Sequence, residues 1–451
     1  MKFEKDRLGY VFAGDYPEFY GPADRARLRA ILPVQIGRLG QRDPIADARM
    51  LGILIGRRSA DRNLPQLEQR TRRDGSYSLV ARGEVVLSAG EYDAGSVGHL
   101  LTGFEVLPGR GARVCLRRPA AAPADVDRVI DDCAAAKVPA WPNYLATMAA
   151  VGKGIGGPEP APTPLPPPPA APGAAVPSRS APGADPIVIA VIDTGLPEQP
   201  RTDGWLGIDR TTDDIDQLDV LPGGPDGLLD YAAGHGAFVT GIVQRVAPQA
   251  TVRMYRAADT DGFATDNDIA DAILRAHADG AQIINLSLGI RTVDDTPPPA
   301  IAQAVAAVRA DKERDTVIVA AAGNYGDSSR VWPAELTGVE SVAGLTAYLA
   351  PASWSNYGDG VRFSAVAEGI RSTYVTGVES PVFDPQPDTF GADAWAIWSG
   401  TSFAAPQIAA AIARVAAELT MTPRQAVDQL AEYGKPIAGY GKAVRILEGI
   451  G

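Results

Sequence analysis

The chain has 451 residues and a mass of 47.2 kDa, enough for two or more domains. Apolar residues make up 45% and charged residues 21%, the composition of a chain that folds around cores. The net charge of −12 argues against a nucleic-acid binder, which must neutralise phosphates, and against docking on an anionic membrane.

The charge is unevenly divided. Residues 1–150 hold 22 Lys and Arg against 18 Asp and Glu, whereas residues 151–451 hold 20 against 36. A basic half tethered to an acidic half is expected to attract it at short range, because salt screens such forces beyond about 10 Å. No stretch reaches the roughly 18 apolar residues of a membrane span. Met1 to Leu8 carry charges with no apolar core behind them, unlike a Sec signal peptide. The expected location is the cytoplasm, with export by a non-Sec route left open. Two cysteines, Cys115 and Cys133, are too few for a disulfide scaffold and are expected to be free.

In chain order, residues 1–75 show helical patterns over 23–32 and 45–55, and no chemistry can be assigned to them. Residues 76–150 predict strand 77–87, helix 91–101, strands 104–107 and 113–116, helix 124–136 and strand 139–145. That βαββαβ order describes a small α+β, ferredoxin-like domain. Residues 151–186 are a Pro-rich linker, expected to be extended at about 3.1 Å per residue. Residues 187–451 alternate apolar strands (187–192, 251–257, 283–288, 316–322, 341–346) with helices (237–246, 266–278, 300–310, 402–419). Such alternation predicts an α/β domain with a doubly wound parallel sheet.

Three segments of this domain carry chemistry. Asp193 ends the first apolar strand, and carboxyl ends of parallel strands are where α/β sheets place their sites. His235, one of only three histidines, lies between Gly234 and Gly236 at a helix start. Ser402 follows Gly400-Thr401, where a turn opens an Ala-rich helix. Each alone reads as a cap or a turn. Together they supply an acid, a base and a nucleophile. A Ser hydroxyl needs a base that titrates near neutrality, and His needs a carboxylate to fix its tautomer. A tetrahedral intermediate also needs donors for its oxyanion. Asn324, after the apolar strand ending in Ala320-Ala321-Ala322-Gly323, is placed to be one.

These blocks resemble those of the subtilisin-like serine proteases, in the family's order. They are Ile192-Asp-Thr-Gly195, Gly234-His-Gly236, Asn285-Leu-Ser-Leu-Gly289, Ala321-Ala-Gly-Asn324 and Gly400-Thr-Ser-Phe-Ala-Ala-Pro406. The resemblance covers about residues 187–450. It implies a serine endopeptidase with Asp193, His235 and Ser402 as triad. Asn324 and the Ser402 amide are the implied oxyanion donors. Ser287, Leu288 and Gly289 would pair with an extended peptide or protein substrate. Ala321, Ala322 and Gly323 would line the first specificity pocket. No cofactor and no metal site are implied. The chain departs from the family at Ala237, where Thr is usual, and at Gln407, where His is common. Sedolisin-type peptidases and α/β-hydrolases are excluded, the first by His235 and the second by Ala404 in place of the Gly of their elbow.

Residues 76–146 resemble a subtilisin propeptide, ending in Val138-Pro-Ala-Trp-Pro-Asn-Tyr-Leu145. The family's propeptides send their last strand into the active-site cleft, so this region is expected as an intramolecular partner of a zymogen. The alternative reading is a catalytically silent or highly selective peptide-binding module, recruited by its N-terminal region. Finally, segment 259–268 holds Asp259, Asp261, Asp266 and Asp268 and no cation. Asp266 is a candidate helix cap, and the rest are candidates to attract basic substrate residues at the second or fourth position upstream of the cut.

Overall fold

A strand covered on both faces needs apolar side chains throughout, and the run 187–192 meets that condition. In the computed structural model it forms Val188–Asp193, the second strand of an eight-stranded sheet. Residues 21–40, 44–59, 61, 63–88, 92, 97–107, 113–119, 121–149, 157–162, 164–165, 186–208 and 210–448 are described. The sheet runs Thr251–Arg256, Val188–Asp193, Ile283–Leu286, Val317–Ala321, Val339–Leu345, Val361–Val366, Gly441–Ala443 and Lys435–Ile437. Neighbours are parallel except the last pair. The expected doubly wound sheet is present, and the strands after Val339–Leu345 extend it beyond the sequence reading.

The helix Ala405–Leu419 lies buried from Ala405 to Ala416 in the main core. Its many alanines let the backbone approach the sheet closely. The expected helix at 402–419 starts later, because Thr401–Phe403 forms a separate 3₁₀ turn. That turn carries Ser402.

The N-terminal strands Ala140–Met148, Tyr77–Ser88, Arg113–Arg117 and Glu105–Val106 lie side by side in that order, all antiparallel. This is the order of a split βαβ arrangement. Leu67–Thr71 adds a strand the sequence did not suggest. The helix expected over 124–136 is present as Pro123–Ala135. Of the helix expected over 91–101, residues 97–101 are turn instead, and 91 and 93–96 fall outside the described residues. Cys115 and Cys133 are free, half-buried and buried.

This small sheet does not end within its own domain. Ala140–Met148 also pairs antiparallel with Phe263–Thr265 on one side and Leu288–Gly289 on the other. One strand therefore joins the N-terminal sheet to two edges of the C-terminal domain.

The region before residue 67 packs on the C-terminal domain. Helix Pro22–Gly40 runs through Pro33, and Leu28 and Ile31 cluster with Ile397. Asp24 and Arg371 pair at 3.3 Å, both fully buried. Gln35 bonds the carbonyls of Gly157 and Ile397 and accepts from the Ser399 hydroxyl at 2.6 Å. The linker reading also needs correction at its start. Glu159–Pro160 is an edge strand on Trp395–Trp398, a position that tolerates Pro, and Leu165 is buried. Residues 166–185 fall outside the described residues. Removing one member of a buried ion pair strands the other charge. Asp24→Ala is therefore expected to cost about 3 kcal/mol, read as a lower denaturation midpoint of the full chain.

Candidate active site

The site begins with a contact between two glycines. Asp193 is followed by Thr194 and Gly195, whose φ of +109° turns the chain away from the sheet. Helix His235–Val246 meets that turn at Gly236, where a Cβ would lie 2.3 Å from the Gly195 carbonyl oxygen. Only glycine allows this approach. Gly234 has φ +85°, and a Cβ there would meet Tyr374 and Val375 at 2.8 Å. The two glycines flanking the histidine thus set the helix against Asp193. His235 Nδ1 lies 2.7 Å from Asp193 Oδ1, and both side chains are fully buried. Asp193 Oδ1 also accepts from the Thr194 amide at 2.8 Å.

Asp216 supports this turn and escaped the sequence reading. Its Oδ2 accepts from the Gly234 amide at 2.9 Å and the Thr194 hydroxyl at 3.1 Å. The Thr194 oxygen in turn accepts from the Gly236 amide at 3.0 Å. Burial pushes the Asp216 carboxyl above the ordinary range, and these donors oppose that push. No motif marks Asp216, because its partners lie 18 and 22 residues away.

Ser402 immediately precedes Phe403, one of the two rings against the histidine. The His235 ring packs on Trp398 and Phe403, each with centroids 5.5 Å away. The Ser402 hydroxyl donates to the Ser287 carbonyl at 2.8 Å, and the Ser287 hydroxyl donates to the Ser402 carbonyl at 2.8 Å. His235 Nε2 has no hydrogen-bond partner among the described residues. Bonding it to Ser402 Oγ requires the hydroxyl to leave Ser287. Asn324 is oriented by its own oxygen, which accepts from the Thr401 amide at 3.0 Å and hydroxyl at 2.8 Å. That fixes the Asn324 N–H₂ prong away from Thr401. Ala321, Ala322 and Gly323 are buried at the end of their strand. Gly323 donates to the Thr401 hydroxyl at 3.2 Å.

Ala149 completes the arrangement. Its carbonyl accepts from the Ser402 amide at 2.8 Å, and its amide donates to the Ser287 carbonyl at 3.2 Å. Upstream of it, Met148 pairs with Leu288, and Thr147 pairs with Gly289 and Phe263. At 287–289, where an extended substrate was expected, the protein's own strand is paired.

The sequence model of the subtilase family matches residues 184–432. The chain belongs to the subtilase family. It is 35% identical over 263 residues to the thermophilic serine proteinase of Bacillus sp. (strain AK1), 57% of this chain and 59% of that protein. It is 30% identical over 230 residues to thermitase of Thermoactinomyces vulgaris, 49% of this chain and 71% of thermitase. Among solved structures it is similar to fervidolysin of Fervidobacterium pennivorans, with a TM-score of 0.55 and 19% identity. That match covers 81% of this chain and 60% of fervidolysin, and it speaks for the fold. The chain thus spans about three fifths of the first relative and of fervidolysin.

One departure from the usual subtilase pattern has a structural account. Gln407 is fully buried and donates to the carbonyls of Val366 and Phe403 at 2.7 Å each, tying the Ser402 helix to the sheet. The acidic segment divides in function. Asp266 accepts from the amides of Ala300 and Ile301, starting a neighbouring helix, while Thr265 caps its own helix in place of the expected Asp266. Gly236→Ala is expected to destabilise the protein by about 1–3 kcal/mol, because neither backbone can yield. Thermal unfolding beside a surface Gly→Ala control, such as Gly391→Ala, measures it; an unchanged Tm would mean the two chains have room to separate.

Proposed function

We propose that this subtilase is a serine endopeptidase made as a self-inhibited precursor, and that its first cut falls after Ala149. The observation that carries this reading is the position of the Ala149 carbonyl. It is bonded to the amide of the residue whose hydroxyl would attack it.

In this mechanism the Ser402 hydroxyl turns from Ser287 to His235 Nε2. His235 takes its proton while Oγ adds to the Ala149 carbonyl carbon. Asp193 holds Nδ1–H and stabilises the resulting imidazolium. The oxyanion is held by the Ser402 amide and the Asn324 N–H₂ prong, donors that meet full charge only in the transition state. His235 then gives the proton to the amine of Ala150, and the bond between Ala149 and Ala150 breaks. Water repeats the sequence on the acyl-enzyme. Until the fragment ending at Ala149 departs, its strand fills the cleft and excludes other substrates. That is the inhibitory role proposed for the N-terminal region.

Mass spectrometry of purified full chain tests the assignment. The expected result is two fragments, ending at Ala149 and beginning at Ala150, and a single intact chain for Ser402→Ala. An intact wild-type chain that hydrolyses no peptide would leave a silent peptide-binding module instead. Asn324→Ala is expected to lower kcat by about 10²–10³ with little change in KM. A pure KM effect would assign Asn324 to ground-state binding.

A further inference from the structure

The N-terminal segment reaches the catalytic domain at a second place, beside the cleft. In segment 259–268, Asp266 accepts amides of a neighbouring helix, and Asp268 accepts from the Thr265 hydroxyl at 2.6 Å. Asp259 accepts from the amides of Asp261 and Phe263, and Asp261 from that of Tyr231, each through Oδ1. Asp259 and Asp261 also join Asp230 around the guanidinium groups of Arg57 and Arg58. Arg58 lies 2.8 Å from Asp259, and Arg57 lies against Asp230 and 3.8 Å from Asp261. Arg57 also donates to the Leu221 carbonyl at 3.0 Å. Each guanidinium covers an aromatic ring, Arg57 over Phe383 at 4.8 Å and Arg58 over Phe263 at 4.9 Å.

This is a built cation site rather than a solvated acidic face. Asp230 is fully buried and Asp261 is 2% exposed. The Asp261 Oδ2 atom is buried with no hydrogen-bond partner among the described residues. Burial pushes the Asp230 carboxyl up to about 7 and raises Asp261 as well, while Arg57 pulls both down. Carboxylates in such surroundings stay ionised only beside a cation.

Its place relative to the cleft gives it a use. Phe263 pairs with Thr147, and Leu145 clusters with Phe263, Phe383, Leu51 and Leu54. Ala146 and Tyr144 point the other way, into the core of the catalytic domain. The aromatic rings that hold the guanidinium groups therefore flank the outer face of the cleft strand. That face bears the third and fifth residues counted back from the cut. Arg57 and Arg58 lie upstream of Ala149, so the proposed cut separates them from the carboxylates, and departure of the fragment takes both guanidinium groups away from the three acids.

We propose that Asp230, Asp259 and Asp261, with Phe263 and Phe383, form a guanidinium-binding subsite of the processed enzyme. It takes an arginine at the third or fifth residue upstream of the cut in a protein substrate. Arg57 and Arg58 occupy it in the precursor. This differs from the sequence expectation of the second and fourth positions, because Met148, at the second, meets Gly262 instead. The proposal rests on the peptidase reading above.

The test uses full chain allowed to process itself and two peptides that differ only in carrying Arg or Gln at those two positions. The Arg peptide is expected to show at least about tenfold higher kcat/KM, a ratio that shrinks as salt rises. Asp259→Asn with Asp261→Asn is expected to bring the ratio near one. Equal cleavage of both peptides by wild type overturns the subsite alone. A ratio that survives the double substitution does the same. Cleavage of neither by a chain that also stays uncut after Ala149 overturns the peptidase reading and the subsite with it. Should the double variant fail to fold, N-acetyl-Arg-Arg-amide added to wild type puts the same question. It should slow the Arg peptide to the rate of the Gln peptide, and an unaltered ratio overturns the proposal.

Discussion

Unpaired strand edges must find hydrogen-bond partners in water or in another chain. The catalytic domain has two such edges facing each other, Phe263–Thr265 and Leu288–Gly289, and Ala140–Met148 fills the space between them. Backbone pairing of this kind is indifferent to side-chain identity, which is why one chain can serve there in place of another. It also fixes register. Once Thr147 is opposite both Gly289 and Phe263, Ala149 has one place to go, and its carbonyl reaches the Ser402 amide. A slip of one residue would turn Leu145 from the Phe263 and Phe383 cluster toward the catalytic core, and Ala146 outward. The fit of Tyr144 and Ala146 to one face and of Leu145 to the other therefore sets which peptide bond lies beside the Ser402 amide.

Charge adds a second layer of registration. The basic half and the acidic half meet through named pairs: Arg57 with Asp230, Arg58 with Asp259, Arg72 with Asp295 and Arg113 with Asp271. Two pairs run in the opposite sense, Arg371 with Asp24 and Arg291 with Asp74. Several of the arginines are nearly or fully buried. A buried pair adds little net stability over an apolar contact, but misalignment leaves an unpaired charge at high cost. The asymmetry visible in composition is thus used at close range, at particular positions, and acts mainly to exclude wrong docking.

The residues of the candidate site were legible because they sit in short blocks. Asp193, His235, Asn324 and Ser402 each sit in a local pattern that their neighbours explain, as Gly234 and Gly236 do for His235. The alternation of apolar strands and helices likewise gave the sheet. What escaped was long-range. Asp216 is an acid in a loop until Thr194 and Gly234 fold against it. Glu159–Pro160 reads as linker, since nothing in it announces pairing with Trp395–Trp398. The helical pattern seen over 23–32 extends through Pro33 to Gly40, with Leu28 and Ile31 held by Ile397. Over 97–101, where a helix was expected, the chain is turn, since an apolar period alone did not outweigh the glycine at 98.

The same contacts bear on what a cut after Ala149 would change. It would break one covalent bond and leave the strand pairing, the buried Asp24–Arg371 pair and the arginine contacts in place. The N-terminal fragment would cease to be held at the effective concentration of a tether and become a ligand with its own rate of departure. Because helix Pro22–Gly40 bonds Ser399, three residues before Ser402, while the strand occupies the cleft itself, departure must undo contacts on two sides of the same nucleophile segment. Opening one side leaves the other attached, and each can re-form before the second gives way. Two modest attachments then hold as one strong one, so release of the fragment, more than cleavage, would govern when the cleft becomes available.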